Sequence, residues 1–253
     1  MNNGEGCYIY GMIVADHKQE FGPIGIGGRG DVVYTLPAHH VAAVISHSPI
    51  VQYPVSRDNM LPHAKVLDKV AETYTVLPVR FSTIAESEEA IIEKVLKPRH
   101  QEFINLSREM EGKLELGVRA RWIDMNAIFA ELVEGNKEIK ALKEASLREK
   151  NEQKKYATNV KAGQLVQTAL EKKKKSEAKE LLEAFKPLSL QRKEMQIYGD
   201  MNIINAAFLV NRENESSFDQ KVDELRQLYE KRIQIKYTTS PVAYNFVELV
   251  INL

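Results

Sequence analysis

The chain has a single cysteine, Cys7, so no internal disulfide can form and nothing argues for an oxidising compartment. Cys7 lies in an apolar run and reads as a small buried strand residue rather than a reactive thiol. Net charge is lacking too: 35 Lys and Arg offset 35 Asp and Glu, which argues against a strongly basic nucleic-acid binder or a polybasic membrane binder. No uncharged apolar stretch approaches the ~20 residues that cross a bilayer. The opening residues 1–6 have neither the basic start nor the apolar segment of a secretory leader. These absences lead us to expect a cytoplasmic protein without a membrane span.

What is present is an ordinary globular mixture, 43% hydrophobic and 28% charged, far from the disordered signature. Residues 7–14 (CYIYGMIV) form a compact run rich in Tyr, Ile and Val and read as a buried strand. A glycine-rich loop, residues 22–30, precedes two short β segments at 32–36 and 41–46. From Asn59 the apolar residues Met60, Ala64, Leu67, Val70, Ala71 and Tyr74 recur at three and four, predicting a helix. Residues 75–81 (TVLPVRF) return to strand chemistry, and Pro78 argues for an edge or a bulge because it cannot donate to a ladder. A second helix is predicted over 87–110, with Pro98 interrupting it and Gly112 stopping it.

The second portion begins with a strand at 113–122, in which Leu114, Leu116, Val118, Ala120 and Trp122 alternate. A charged helical region over 125–185 follows, with breaks expected around Gly135 and within 157–163. Segments 188–197 and 203–210 read as a hairpin around Tyr198-Gly199-Asp200. Phe218, Val222, Leu225, Leu228 and Tyr229 mark an amphipathic helix, and 233–237 a final strand. The order is β-α-β-β-α-β, the ferredoxin-like arrangement. The expected fold is therefore α+β with two domains. Residues 1–112 form a mixed α/β sheet domain, and residues 113–253 a modified ferredoxin-like domain with a long helical insertion. An apolar tail, 244–253, must pack somewhere.

No reactive centre assembles from the local patterns. Gly25–Gly30 matches G-x-G-x-x-G, but a strand pattern follows where the phosphate cradle needs a helix N-terminus, so it reads as a loop. His39, His40 and His47 offer histidines without convergent geometry, since neighbours on a strand point to opposite faces. Ser46-His47-Ser48 lacks a nucleophile elbow and is followed by Pro49. The lysine run 172–175 has Glu171, Glu177, Glu180 and Glu183 at helical spacing and reads as a solvated face. No catalytic, metal or cofactor-binding residue is assigned, and no cofactor is expected. Arg80, flanked by Val79 and Phe81, must reach solvent or a carboxylate.

Several segments taken together resemble the gas vesicle proteins F and L (GvpF/GvpL). Residues 8–13 (YIYGMI) resemble that family's "YVYGIV", and 42–46 (AAVIS) its "AVVS". Residues 76–84 (VLPVRFSTI) are similar to "VLPLRFGTV", with Ser82 where the family usually has Gly. Residues 114–119 (LELGVR) parallel "EWGVKV", and 241–247 (PVAYNFV) parallel "PPYSFV". These blocks occur in the family's order across nearly the whole chain.

The resemblance implies a non-enzymatic minor component of gas vesicles. It would bind the small apolar shell protein GvpA and other accessory proteins during vesicle formation. It also implies a two-domain α+β molecule without a cofactor. Because aromatic and Arg side chains dominate interfaces, Arg80, Phe81, Trp122, Tyr244 and Phe246 are the candidate contacts, each with core packing as the other reading, and for Trp122 and Phe246 core packing is the favoured one. A ferredoxin-like nucleic-acid-binding module is the rival function, and it would call for exposed aromatics on the second domain's sheet.

Overall fold

The computed structural model describes residues 4–247 and 249–252, so of the opening residues 1–6 and the tail 244–253 read above, Met1–Asn3, Glu248 and Leu253 lie outside the described residues. The chain divides into two compact units. One comprises Met1–Leu116, Leu209–Arg212 and Thr239–Leu253, the other Gly117–Phe208 and Glu213–Thr238. Two consecutive blocks meeting at residue 112 were expected. Instead the units interleave, because the apolar side chains of the tail join the core of the first.

In the first unit a sheet is built from β1 (Glu5–Ile13), β2 (Glu20–Gly22), β3 (Val33–Ala38), β4 (Val41–Pro49), β5 (Leu77–Pro78) and β6 (Ile84–Ala85). Its order is β2-β3-β4-β1-β5, with β6 also pairing β1. Pro78 sits at the outer end of that order, as its missing N–H requires. Every residue of β1 after Glu5 is buried, so its two faces serve two cores. Tyr8, Tyr10 and Ile13 pack with Val66, Leu67 and Val70 of α1 (Arg57–Ala71). Cys7, Ile9 and Met12 pack with Ile91, Val95 and Phe103. Strict alternation would put Met12 with Tyr8; a register shift between Ile9 and Gly11 in the pairing with β4 moves it to the other face.

The helix predicted over 87–110 starts at α2 (Glu88–Ile91), whose cap Ser87 accepts a hydrogen bond from the Ala90 amide, and continues as α3 (Lys97–Met110). A π-turn, Ile92–Leu96, lies directly ahead of Pro98 and absorbs the missing donor. His39 and His40 both have positive φ, 54° and 66°, and form the two-residue turn between β3 and β4. Among the described residues no group of three or more His, Cys, Asp or Glu converges as a metal site.

In the second sheet, β7 (Lys113–Trp122), β8 (Gln191–Glu194), β9 (Asn202–Asn211) and β10 (Ile233–Ser240) run in the order β10-β7-β9-β8. Each crossover therefore skips one strand, which is the split βαβ arrangement read from the sequence. The helical insertion is α4 (Met125–Gly135), α5 (Lys137–Arg148) and α6 (Glu152–Phe185), and α7 (Glu215–Leu228) is the second crossover. The break expected within 157–163 is absent. It lies instead at Glu149–Asn151, where the Asn151 side chain accepts from the amides of Gln153 and Lys154 and starts α6. Gly163 is carried inside that helix. Phe185, Phe208 and Phe218 form a ring cluster with centroids 4.6–5.4 Å apart that fixes α6 and α7 on one face of β9. Among the described residues no helix is long and apolar enough to cross a membrane.

Candidate functional site

The first unit carries a groove beside the segment that leaves β5, which two backbone bonds tie to β1. The Val79 amide donates to the Tyr10 carbonyl, and the Ile9 amide donates to the Thr83 carbonyl, at 3.0 and 2.9 Å. Between these two anchors Arg80–Ser82 leaves the sheet as a short outward turn. The Thr83 hydroxyl closes the turn on the Arg80 carbonyl, 2.6 Å away. Ser82 adopts φ 64°, a conformation that favours glycine, and its Oγ accepts from the Tyr53 amide at 2.9 Å.

Below the turn, the Tyr8 hydroxyl accepts from the Ser82 amide at 2.9 Å. It also lies 3.0 Å from Nδ1 of His63, a contact in which a neutral imidazole can accept or donate according to its tautomer. Burial favours that neutral form, pushing the His63 pKa down to about 4 and the Tyr8 phenol up. The Phe81 ring stands edge-on to both, with centroids 5.4 Å from His63 and 6.4 Å from Tyr8.

The opposite wall is the tail. Glu115 is buried, and its carboxylate accepts from the Asn245 amide and from Asn245 Nδ2 at 2.7 and 2.5 Å. Leu249 pairs with Val79 in a parallel bridge. Nη1 of Arg99 donates to the Val250 carbonyl at 2.8 Å. Between the turn and the tail lies a hollow of about 490 Å³ lined by Met60, Val79, Arg80, Phe81, Tyr244 and Val247 among others. A second, of about 370 Å³, continues from it along residues 80–84 and 250–252. The lining of the first is mainly apolar, with the exposed Arg80 at its edge, and that of the second is mainly polar. Such a surface suits an apolar segment carrying one acidic or carbonyl group.

The model of the family described as gas vesicle synthesis protein GvpL/GvpF matches residues 6–248. The chain belongs to the GvpL/GvpF family. It is 26% identical over 248 residues to gas vesicle protein F of Nostoc sp., covering 96% of this chain and 98% of that one. It is 27% identical over 245 residues to gas vesicle protein F of a Streptomyces species, covering 95% and 99%. The fold matches the crystal structure of GvpF from Anabaena sp. with a TM-score of 0.81 at 24% identity, covering 98% of this chain and 100% of that one. GvpF from Microcystis aeruginosa follows at 0.73, covering 96% and 99%. GvpL/GvpF is a gas vesicle family and not a known enzyme family, so a gas-vesicle-related role follows for this chain.

Of the five candidate contacts of this GvpL/GvpF chain, the structure brings Arg80, Phe81 and Tyr244 together on one groove. Phe246 is half-buried against the first unit's core. Trp122 has no exposed surface, so it is a core residue of the second unit, the reading favoured for it above, and is removed from the candidate contacts. Its indole Nε1 donates to Glu177 at 2.6 Å. Glu177 in turn accepts from Arg232 at 2.6 Å, and Arg232 makes a two-pronged pair with Glu131. Lys173 joins both carboxylates at 2.8 and 3.5 Å. Arg232 and Lys173 hold the Glu131 carboxyl down at about 2.

The lysine run is thus partly internal to the fold, with Lys174 also donating to the Gly199 carbonyl. Glu115, His63 and Met60 were not singled out as site residues. Only their contacts across the chain give them a place at the groove.

Proposed function

We propose that this protein is an assembly factor that binds the small apolar shell protein GvpA, together with other accessory proteins, during gas vesicle formation in the cytoplasm. The observation that carries the reading is the groove: a mainly apolar hollow between the Arg80–Ser82 turn and the tail, continued by a more polar one, with the exposed Arg80 at its rim. Shell subunits with exposed apolar surface aggregate before they polymerise. A groove that covers part of that surface delays this, and Arg80 gives the bound segment a direction. The resemblance and the family membership support the vesicle setting, and the groove supports the mode of binding. The nucleic-acid alternative is unsupported, and the Lys172–Lys175 run that suggested it is partly engaged within the second unit.

The test is co-expression with GvpA and co-purification, comparing the native chain with Arg80→Glu and Val250→Asp, both at exposed groove positions. Native capture that each variant reduces about tenfold or more supports the proposal. A fold control comes from the unchanged circular dichroism melt of each variant. Failure of the native chain to capture GvpA, together with normal vesicles in a deletion strain, removes it.

A further inference from the structure

The second unit presents a basic surface that the groove reading does not use. On β7, Arg119 and Arg121 project from the face opposite the buried Val118, Ala120 and Trp122. On β10 the exposed Gln234 and Lys236 alternate with buried Ile233 and Ile235. Two contacts put these residues on one face. Nε of Arg121 donates to Oε1 of Gln234 at 2.8 Å, and Nε of Arg119 donates to Oδ1 of Asn205 on β9 at 3.2 Å.

These contacts have a consequence for charge. The second unit otherwise pairs many of its charges, as the Glu131, Lys173, Glu177 and Arg232 cluster illustrates. Yet among the described residues no carboxylate lies within ion-pair distance of Arg119, Arg121 or Lys236. Each exposed Arg is steadied through Nε by a neutral amide oxygen, and no bond from its Nη1 or Nη2 is seen among the described residues. That end of a guanidinium accepts a carboxylate in two-pronged fashion. Arg119 and Arg121 are two residues apart on a strand, hence about 7 Å apart. A hollow of about 290 Å³ adjoins them, lined by the apolar Ile197, Tyr198 and Ile204 and in similar measure by the polar Arg119, Asn202 and Asn205, with room for one side chain.

We propose that this sheet face docks an acidic polypeptide segment. Its carboxylates, about 7 Å apart, engage Arg119 and Arg121, with Lys236 adding charge and an apolar side chain entering the hollow by Tyr198. A protein partner fits better than a single-stranded nucleic acid. The positions that would stack bases on the central strands are Arg119, Arg121 and Asn205, and the aromatic of β10, Tyr237, stacks on Phe218 at 5.9 Å instead.

The experiment uses the full chain and fluorescence anisotropy at low salt. The probes are a labelled peptide with Glu at alternate positions around one Leu, its Gln counterpart, and a labelled oligouridylate. The Glu peptide is expected to bind about tenfold or more tighter than the Gln peptide, because each charged hydrogen bond is involved in the difference. The double variant Arg119→Gln with Arg121→Gln should remove that preference. The Lys double variant should keep the charge but weaken binding, since ammonium lacks the fork. Arg57→Gln, at an exposed cation of the other unit outside the groove, should leave it unchanged. Should the Gln double variant not fold, Lys236→Gln and the native peptide preference decide. Equal binding of the Glu and Gln peptides, tighter binding of oligouridylate, or a preference that survives the Arg substitutions overturns the proposal.

Discussion

Ser82 and Tyr8, 74 residues apart, meet through a hydrogen bond from the Ser82 amide to the Tyr8 hydroxyl. That bond fixes the outward turn of Arg80–Ser82 over β1, and it works only while Ser82 keeps its left-handed backbone at φ 64°. The family pattern noted for this position, usually Gly, has its explanation here: the turn needs a conformation that costs an L-residue about 1–2 kcal/mol. Ser offsets part of that cost with the bond its Oγ accepts from the Tyr53 amide. Ser82→Ala should therefore destabilise the chain by about 1 kcal/mol, because it loses the bond and keeps the strain. Ser82→Gly should lie within about 0.5 kcal/mol of native, having exchanged one for the other. Urea denaturation of the two variants side by side checks the order.

Gly11 should tolerate no side chain. A Cβ there would stand 2.9 Å from the Leu77 carbonyl oxygen and 3.1 Å from both Leu67 Cδ2 and Val76 Cγ1. Gly11→Ala should cost about 1–3 kcal/mol, the usual range for overpacking, with a lower urea midpoint. An unchanged midpoint would mean that β5 can move away from β1.

The Glu131 carboxyl, held at about 2 against an ordinary 4.5, makes the second unit sensitive to acid. Its folded value lies below its unfolded one, so the stabilisation is complete above about pH 4.5 and is lost as pH falls toward 2. Glu131→Gln should be less stable than native at pH 7, and the gap should close over that window. Trp122, the only tryptophan in the chain, is bonded to Glu177 in the same cluster. Its fluorescence reports this unfolding directly. A gap that stays constant from pH 7 to pH 2 would contradict the pairing.

The turn between β3 and β4 is built from two histidines in the left-handed region, where Asn-Gly is the favoured pair. His39→Asn with His40→Gly should raise the melting temperature by about 2–4 °C, corresponding to about 1 kcal/mol in a chain of this size. Differential scanning calorimetry checks it. A lower melting temperature would show that the contact between the His39 and His100 rings, 5.6 Å apart, outweighs the backbone strain.

What could be read along the chain was whatever local periodicity and turn chemistry determine. The alternation of Leu114 to Trp122 marked β7, the Tyr198-Gly199-Asp200 signal marked a hairpin, and Pro78 marked an edge. The order of β7 to β10 followed from these. The start of α6 was misplaced because Gly163 drew the break, while the stronger signal was Asn151 ahead of Glu152, a cap that leaves the glycine inside. The register shift in β1 had no local signature beyond Gly11. The groove itself was illegible, since it depends on Val79 meeting Leu249 and on Glu115 holding Asn245. Arg80, Phe81 and Tyr244 could be picked as residue types, but their meeting could not. Trp122, for which core packing is the favoured reading of the sequence, is buried, and what its position along the chain could not show is its bond to Glu177.

The placement of residues 239–253 with the first unit has a bearing on biosynthesis. A ribosome delivers β1 to α3 long before Val242, Ala243, Val247 and Leu249 emerge, so those elements wait for side chains made much later. Through that interval β5 has an open edge, and the cores beneath it lack these side chains, which is the state most prone to mispairing with a neighbouring chain. Translation order and completion order are thus reversed in this protein. The second unit's interior, apart from its shared strands, can close first.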